Sequence, residues 1–175
     1  AFWKDAGRAL RVARVAAGPD PAPGGGVTVT VDAALPDPAA SPVRLAYTLG
    51  PDGALRVEMS LSPDPALPEL PRVGMHAALH GDLHLVEWFG RGPGESYWDR
   101  KSGTPFGRHA ADVRTWNHRY ASPQEHGNRS DVHWFTRRAP EGCGSRVAAA
   151  PAAPVIHFGA WPHTRAELEA ARRSD

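Results

Sequence analysis

The chain has 175 residues, enough for one domain with a buried apolar core. Its 20 basic and 19 acidic side chains give a net charge of +1 and are mixed along the sequence, so neither a nucleic-acid-binding nor an anionic-membrane surface is expected. The sequence contains no apolar run of about 18 residues, the length that predicts a membrane span. Residues 1–5 lack the apolar segment of a signal peptide, and the single cysteine, Cys143, excludes an intrachain disulfide. We therefore expect a cytoplasmic protein.

The first part of the chain contains one ambiguous segment and one clear strand. Residues 1–17 mix apolar side chains with small and basic ones and fit either a helix or a strand. Residues 19–26, which are rich in Pro and Gly, predict a surface turn, because a strand pattern resumes directly after them. Residues 27–31 alternate apolar and β-branched polar side chains, which is typical of a half-buried strand.

The clearest hairpin joins residues 43–49 to residues 55–61. Apolar side chains recur at every second position in both segments. Residues 50–53, Gly-Pro-Asp-Gly, fit the tight turn between them, because proline fixes φ and glycine accepts a positive φ.

Further strands are predicted at residues 72–79, 83–89, 131–137 and 155–160. Strands that follow one another with turn residues between them are typical of an antiparallel sandwich or barrel. One short helix is predicted near the end, because Thr164 and Glu167 have the spacing of a capping box. The sequence therefore predicts an all-β fold, in a single β-sandwich domain over residues 1–175.

The densest group of polar and aromatic residues is segment 90–100. Its glycines and its proline turn the backbone, so that acidic, basic and aromatic side chains project close together. Such a segment fits a sugar, which is bound by aromatic faces and planar hydrogen-bonding groups. It also fits an internal brace in which Glu95 or Asp99 pairs with Arg91 or Arg100, and on spacing alone the brace is favoured.

A second group is segment 120–134, which mixes Glu, Asn, Arg, Asp and Trp around a proline and a glycine. The same two interpretations stay open: a polyol-binding edge, or a buried loop whose polar groups satisfy one another. The candidate sugar-binding residues of the two segments are Arg91, Glu95, Tyr97, Asp99, Arg100, Glu125, Asn128, Arg129 and Trp134.

The sequence predicts neither a metal site nor a catalytic residue. His76, His80 and His84 recur every four residues, but on a strand, at ~3.3 Å per residue, neighbours lie roughly 13 Å apart, too far for one ion. Glycosidases use two carboxyl groups, and nothing local indicates that Glu95 and Glu125 form such a pair. A Gly-x-Ser-x-Gly nucleophile motif is also missing from the sequence.

Two blocks of the sequence resemble one known family. They are Gly-Arg-Gly-Pro-x-Glu-x-Tyr-x-Asp-Arg at residues 90–100 and Pro-Gln-Glu-x-Gly-Asn-Arg at residues 123–129. In this order they resemble the C-terminal fifth domain, or small chain, of the large β-galactosidases of glycoside hydrolase family 2. The resemblance extends from Trp3 to Ala171 and covers essentially the whole chain.

The resemblance implies a fold and a role. The fold is an antiparallel β-supersandwich like that of galactose mutarotase, of which the chain matches the first two-thirds and is incomplete at its C-terminal end. The role is that of a component of a β-galactosidase, which hydrolyses terminal non-reducing β-D-galactose residues, as in lactose. The implied partners are the β-galactoside and the TIM-barrel and other domains of the parent enzyme. In the family the catalytic glutamates and magnesium ligands lie on that barrel, so this chain is expected to hold no cofactor and to be inactive alone.

The chain departs from the family pattern at two positions. His133 stands where the family has arginine, which puts one salt bridge in doubt, and the family's histidine is missing near Arg173. Two other functions stay open: a free-standing galactose-binding or mutarotase-like module, and an inactive remnant of a truncated gene.

Overall fold

The computed structural model of the protein describes residues 2–21, 24–116, 118, 120–122 and 124–171. Within these ranges the secondary structure is nearly all strand, with short helices, and every sheet is antiparallel. The predicted all-β antiparallel fold is therefore confirmed. The chain divides into two compact units, Ala1–His76 and Ala77–Asp175. The single domain and the galactose mutarotase-like relationship stay predictions.

The first unit is one four-stranded sheet in the order β1–β2–β3–β4. Its elements are α1 (Phe2–Ala6), β1 (Arg11–Pro19), β2 (Val27–Ala34), β3 (Pro42–Leu49) and β4 (Leu55–Leu61). Residues 1–17 thus contain both a helix and the start of a strand. The predicted hairpin is confirmed, since Gly53 N donates to Gly50 O at 3.0 Å and Gly53 has a positive φ of 79°.

Alternation of side chains along the strands gives this sheet a polar face and an apolar face. On the polar face, neighbouring strands are joined by side-chain pairs. The hydroxyl oxygens of Thr28 and Thr48 lie 2.9 Å apart, and Arg44 Nε donates to Asp32 Oδ1 at 2.6 Å. Both pairs are directly opposite in the register of β2 and β3, so they support that register.

Among the described residues of this unit, side chains cover the apolar face at one end and leave the other end uncovered. At the covered end α1 and neighbouring apolar side chains pack on Ala33, Val43 and Leu61. Val15, opposite Val31 in the middle of β1, is exposed by 63%, and at the other end Val27 is exposed by 52%, Leu49 by 52% and Leu55 by 60%. The last three are neighbours across β2, β3 and β4, so they form one continuous apolar surface.

The predicted strand at residues 72–79 is wrong. The structure has no strand between residues 62 and 84. The segment contains Pro63, Pro65, Pro68 and Pro71. Proline has no N–H to donate to a strand ladder, which disfavours a strand at residues 63–71. Residues 72–79 contain no proline but are all exposed, whereas a strand packed on a core buries alternate side chains.

The second unit contains a four-stranded sheet in the order β6–β5–β8–β9 and a two-stranded sheet of β10 and β7. Its elements are β5 (Leu85–Arg91), β6 (Phe106–Asp112), a 3-10 helix (Val113–Thr115), β7 (Arg129–Val132), β8 (Trp134–Arg138), β9 (Gly144–Ala148), β10 (Ile156–Phe158) and α2 (Arg165–Ala170). The prediction for residues 83–89 is displaced by two residues, and that for 131–137 covers parts of β7 and β8. The sequence did not predict β6 and β9.

Local hydrogen bonds form at the start of α2 and in the turn between β8 and β9. Thr164 and Glu167 form the predicted capping box at the start of α2, which is confirmed. In the turn between β8 and β9, Ala139 N donates to Cys143 O at 2.8 Å, and Cys143 is exposed. No helix among the described residues is long and apolar enough to cross a membrane.

Trp88 on β5 is the centre of the second unit's core. Its side chain is 0% exposed, and its ring centroid lies 5.3 Å from that of Trp116 and 6.1 Å from that of Phe158. Its Nε1 donates to Arg91 O at 2.9 Å. The core therefore holds the backbone at the point where segment 90–100 leaves β5.

Replacement of Trp88 by alanine tests this assignment. We expect Trp88→Ala to lower the free energy of unfolding by about 3–5 kcal/mol, because a large buried ring is lost and a cavity remains. Urea denaturation of the full chain measures the change. The matched control is Trp98→Ala at a ring that is 78% exposed, which should change stability by less than about 0.5 kcal/mol. Equal losses in the two variants would contradict the assignment.

Candidate functional site

Segments 90–100 and 120–134 lie side by side in the second unit. Ser96 N donates to Asn128 O at 2.8 Å, and Asn128 Nδ2 donates back to Ser96 O at 2.7 Å. Ser130 N also donates to Ser96 Oγ at 2.9 Å. Ser96 and Ser130 are 0% exposed and Asn128 is 8% exposed, so this is a buried polar network that joins the two segments.

The carboxylate of Glu95 accepts hydrogen bonds from three places. Gly127 N donates to Oε2 at 2.9 Å, Arg100 Nη2 donates to Oε1 at 3.1 Å, and the hydroxyl of Tyr120 also donates to Oε1. Burial alone would raise the pKa of Glu95, but these hydrogen bonds and the charge of Arg100 outweigh it and lower the pKa below its ordinary value. The pair with Arg100 is one of those expected for a brace.

Gly127 occupies a position that other residues fit poorly. Its φ is 78°, and a Cβ atom there would lie 2.5 Å from ring atoms of Trp116. Its carbonyl oxygen accepts from Trp116 Nε1 at 2.7 Å and from Arg129 Nη1 at 3.0 Å. The glycine thus lets the indole of Trp116 and the guanidinium of Arg129 both approach one peptide unit.

Arg129 is buried among aromatic rings. It is 6% exposed, and its guanidinium carbon lies 4.0 Å from the ring centroid of Trp116 and 5.2 Å from that of Trp88. Burial lowers the pKa of Arg129 to about 10, so the side chain stays charged at neutral pH. A permanent positive charge therefore sits at the boundary between the core and the polar segments.

A cavity of about 160 Å³ lies between the two segments. Its walls are Gly94, Glu95, Trp116, His118, Gly127 and Arg129. Tyr97 belongs to the same cluster, because the Arg100 guanidinium lies 4.5 Å from its ring centroid. Burial, with the nearby charge of Glu95, raises the pKa of Tyr97 to about 12, so the phenol stays protonated. A carboxylate and a guanidinium thus line one cavity.

Arg91 belongs to a different cluster. Its Nε donates to Asp131 Oδ2 at 2.6 Å, and Lys101 Nζ donates to Asp131 Oδ1 at 2.7 Å. Asp131 has a positive φ of 53°. Burial would raise the pKa of Asp131, but the hydrogen bonds from Lys101 and Arg91 lower it. Arg91 therefore braces the start of segment 90–100 against β7, with Asp131 as its partner and not Glu95 or Asp99.

The structure does not bring all the candidate residues together. Asp99 is exposed, and Trp134 lies on β8 with the guanidinium carbons of Arg146 and Arg108 at 4.9 and 5.8 Å from its ring centroid. The ring of His133 lies 5.6 Å from that of Phe89, centroid to centroid. The candidates that lie in one cluster are Glu95, Tyr97, Arg100, Glu125, Asn128 and Arg129.

Sequence reasoning missed several residues of this cluster. Trp116 and His118 lie outside both segments, and Tyr120 carried no signal beyond its place at the start of segment 120–134. Pro123 and the departure near Arg173 lie outside the described residues. A cluster assembled from such distant positions shows no local spacing pattern.

In the described part of the chain, no group of three or more His, Cys, Asp or Glu side chains is placed to hold a metal ion. His80 Nδ1 lies 3.2 Å from Asp82 Oδ2, and His84 Nδ1 lies 3.0 Å from Asp112 Oδ2. The described residues thus offer no ligand set for the magnesium that the resemblance implies for the parent enzyme.

Replacement of Glu95 by glutamine should destabilise the protein in a pH-dependent way. Near pH 7 we expect Glu95→Gln to cost about 1–3 kcal/mol, because an amide nitrogen faces donors where a carboxylate accepted. A carboxyl group with a lowered pKa stabilises the fold above its unfolded pKa of about 4.3, and this contribution is lost as the pH falls through the folded value. Denaturation at pH 7 and at an acidic pH below the lowered pKa of Glu95 should therefore show that the loss of stability in Glu95→Gln is smaller in acid. Asp99→Asn is the exposed control, and a loss that is independent of pH would contradict the assignment.

Replacement of Gly127 by alanine tests the peptide unit itself. Both the positive φ and the contact with Trp116 oppose a side chain, so we expect a loss of about 2 kcal/mol or more in thermal or urea denaturation. Gly103→Ala is the control, because a Cβ there meets no atom within 4 Å. If the two variants were equally stable, the close approach of Trp116 would be refuted.

Comparison with known proteins finds similar sequences in one family. The family model described as beta galactosidase small chain matches residues 1–175. The chain is 37% identical over 144 residues to a protein named beta-galactosidase from Priestia megaterium. This alignment covers 82% of this chain and 14% of that protein. A beta-galactosidase from Halalkalibacterium halodurans is 32% identical over 132 residues, 74% of this chain and 13% of that protein. One from Kluyveromyces lactis is 40% identical over 91 residues, 51% of this chain and 9% of that protein.

The chain thus spans about one-seventh of the length of the first two of these relatives. The family predicted from the blocks at residues 90–100 and 123–129 is confirmed by the match over the whole chain. This chain belongs to the β-galactosidase small-chain family.

Proposed function

We propose that this chain is a non-catalytic scaffold domain of a β-galactosidase. Hydrolysis of terminal non-reducing β-D-galactose residues would then be carried out by residues elsewhere in the parent polypeptide. Family membership supports the enzyme class. The observation that supports a scaffold role is that Glu95, the acidic residue at the centre of the motif cluster, is bound by three donors of its own chain.

The state of Glu95 argues against proton transfer. A glycosidase needs one carboxyl group with a raised pKa as general acid and a second carboxylate, which in retaining enzymes lies about 5–5.5 Å away. The pKa of Glu95 is lowered, and its position is fixed by Gly127 and Arg100. Such a carboxylate holds two segments together and remains ionised at neutral pH.

The second cluster has the same character. Asp131 is held between Arg91 and Lys101, so that one carboxylate serves two cations, as in a structural ion network. Asn128 donates its side-chain N–H to Ser96 O within the buried network. In the two family blocks, Arg91, Glu95 and Asn128 are therefore bound by groups of the same chain.

The proposal includes the chain's surroundings. We place the β-galactoside, the TIM barrel and the remaining domains of the parent enzyme as its partners, and the magnesium ion on that barrel, outside this chain. We also propose a cytoplasmic location, which the single Cys143 supports.

Two assays test the scaffold role. The purified chain should hydrolyse a chromogenic β-galactoside no faster than buffer, while the parent polypeptide hydrolyses it readily. In the parent polypeptide, Glu95→Gln should leave kcat of the folded enzyme within about threefold, whereas loss of a general acid or base costs about 10²–10⁴-fold. Asp99→Asn serves as the control. A loss of that size in folded Glu95→Gln enzyme would overturn the proposal.

The two alternatives have outcomes of their own. Faster interconversion of galactose anomers by the isolated chain would favour a mutarotase-like module. Aggregation of the chain under all conditions, with no parent reading frame around its gene, would favour an inactive remnant.

A further inference from the structure

We propose that segment 159–164 is held against segment 120–134 by the neutral ring of His126 and is released when that ring is protonated in mild acid. The inference goes beyond the proposed scaffold function, because it concerns a conformational change of the second unit and not the reaction of a parent enzyme. It is carried by a buried ring nitrogen without a partner, by a second histidine that faces the same ring, and by the contacts that join the two segments.

Segment 159–164 connects β10 to the start of α2 and packs on segment 120–134 through its aromatic side chains. Trp161 Nε1 donates to His126 O at 2.8 Å. The ring centroid of His126 lies 6.0 Å from that of Trp161 and 5.8 Å from that of His163, and the rings of Trp161 and His163 are stacked on each other. The ring of His126 therefore lies in the contact between the two segments.

The ring of His126 is buried in a way that favours its neutral form. The residue is 4% exposed, and its Nδ1 has no hydrogen-bond partner among the described residues. A neutral imidazole has one N–H donor, whereas an imidazolium has two. Protonation would therefore leave a buried N–H without an acceptor and add a buried charge, and both cost free energy.

The groups around His126 act on its charge in opposite directions. Burial is the largest influence and lowers the pKa of His126, and positive charge on His163 or His118 lowers it further. The carboxylates of Glu95 and Glu125 raise the pKa, but the balance leaves it below the ordinary value. When His126 and His163 are both protonated, the two rings repel each other across the contact.

The carboxylate of Glu167 is the charged group of α2 that faces His163. Its Oε2 accepts from Thr164 N at 2.6 Å, as part of the capping box. Glu167 is therefore fixed to the same side of the contact as His163, and it does not hold segment 159–164 against His126.

The direction of the pH effect follows from the lowered pKa of His126. In the released form the ring is in water and has an ordinary pKa of about 6.5, so the released form binds a proton more readily than the closed form. Release is therefore favoured progressively as the pH falls below about 6.5, and the closed form is fully favoured above it. The stabilisation by the Glu95 carboxylate is lost only below a pH of about 4.3, so the two effects lie in separate pH ranges.

Hydrogen exchange of the full chain tests the proposal, measured by mass spectrometry at about pH 7.5 and about pH 5.5, on either side of the ordinary histidine pKa. After correction for the intrinsic exchange rate, we expect the protection of residues 159–170 to fall at least about threefold at the lower pH. The amides of β5 should keep their protection, because the core around Trp88 stays intact.

Three variants assign the effect to its residues. His126→Phe keeps a flat ring that cannot be protonated, so the loss of protection at the lower pH should disappear. His163→Phe removes the facing charge and should make the loss smaller; because His163 is only partly buried, this variant also serves if His126→Phe does not fold. His80→Phe is the control, since His80 is exposed and lies next to Asp82, and it should show the full loss.

Three results would overturn the inference. Equal protection of residues 159–170 at both pH values would mean that the segment stays closed. An undiminished loss of protection in folded His126→Phe or His163→Phe would assign the effect to another group. An equal loss in β5 would indicate unfolding of the whole unit and not release of one segment. None of these results concerns turnover of a β-galactoside, so they leave the scaffold proposal to its own assays.

Discussion

The peptide unit of Gly127 is the point on which the polar part of the second unit depends. Its N–H donates to Glu95, and its carbonyl oxygen accepts from Trp116 and Arg129. The amide dipole thus presents its positive end to a carboxylate and its negative end to a cation and an indole N–H. A side chain at this position would push Trp116 away and disturb both ends together. One small residue therefore couples the motif segments to the aromatic core.

The two carboxylates of the region follow one electrostatic rule. Asp131 is bound by Arg91 and Lys101, and Glu95 is bound by Arg100 while Arg129 lines the same cavity. Burial would raise the pKa of each carboxylate, but the hydrogen bonds that it accepts, together with the nearby positive charges, outweigh burial and lower the pKa. This is the opposite of the environment that makes a carboxyl group a proton donor near neutral pH. This environment is consistent with the scaffold role proposed for the chain.

The sequence predicted those elements whose signals are local. The hairpin of β3 and β4 was predicted because the alternation and the turn residues stand within one short stretch. Residues 72–79 have the apolar spacing of a strand, but they are all exposed and pair with no other strand of the structure. β9 has no apolar alternation and is exposed throughout, so it is a strand only because it pairs with β8.

The site shows the same division. The pair of Glu95 and Arg100 is one of the pairs that the sequence allows, because the two residues lie five positions apart in one segment. The partner of Arg91 lies forty residues away, on β7, and its backbone has a positive φ that no spacing rule reveals. Trp116 is part of the site because it packs against Arg129 in the tertiary structure, and no pattern in the sequence predicts that contact.

The turn between β8 and β9 carries the single thiol of the chain, exposed at Cys143 and outside both motif segments. It offers one attachment point for a spin label or fluorophore without prior removal of other cysteines. A probe there would report the rotational mobility of the second unit by spectroscopy. Such a reporter would follow that unit in dilute solution or inside a large assembly alike.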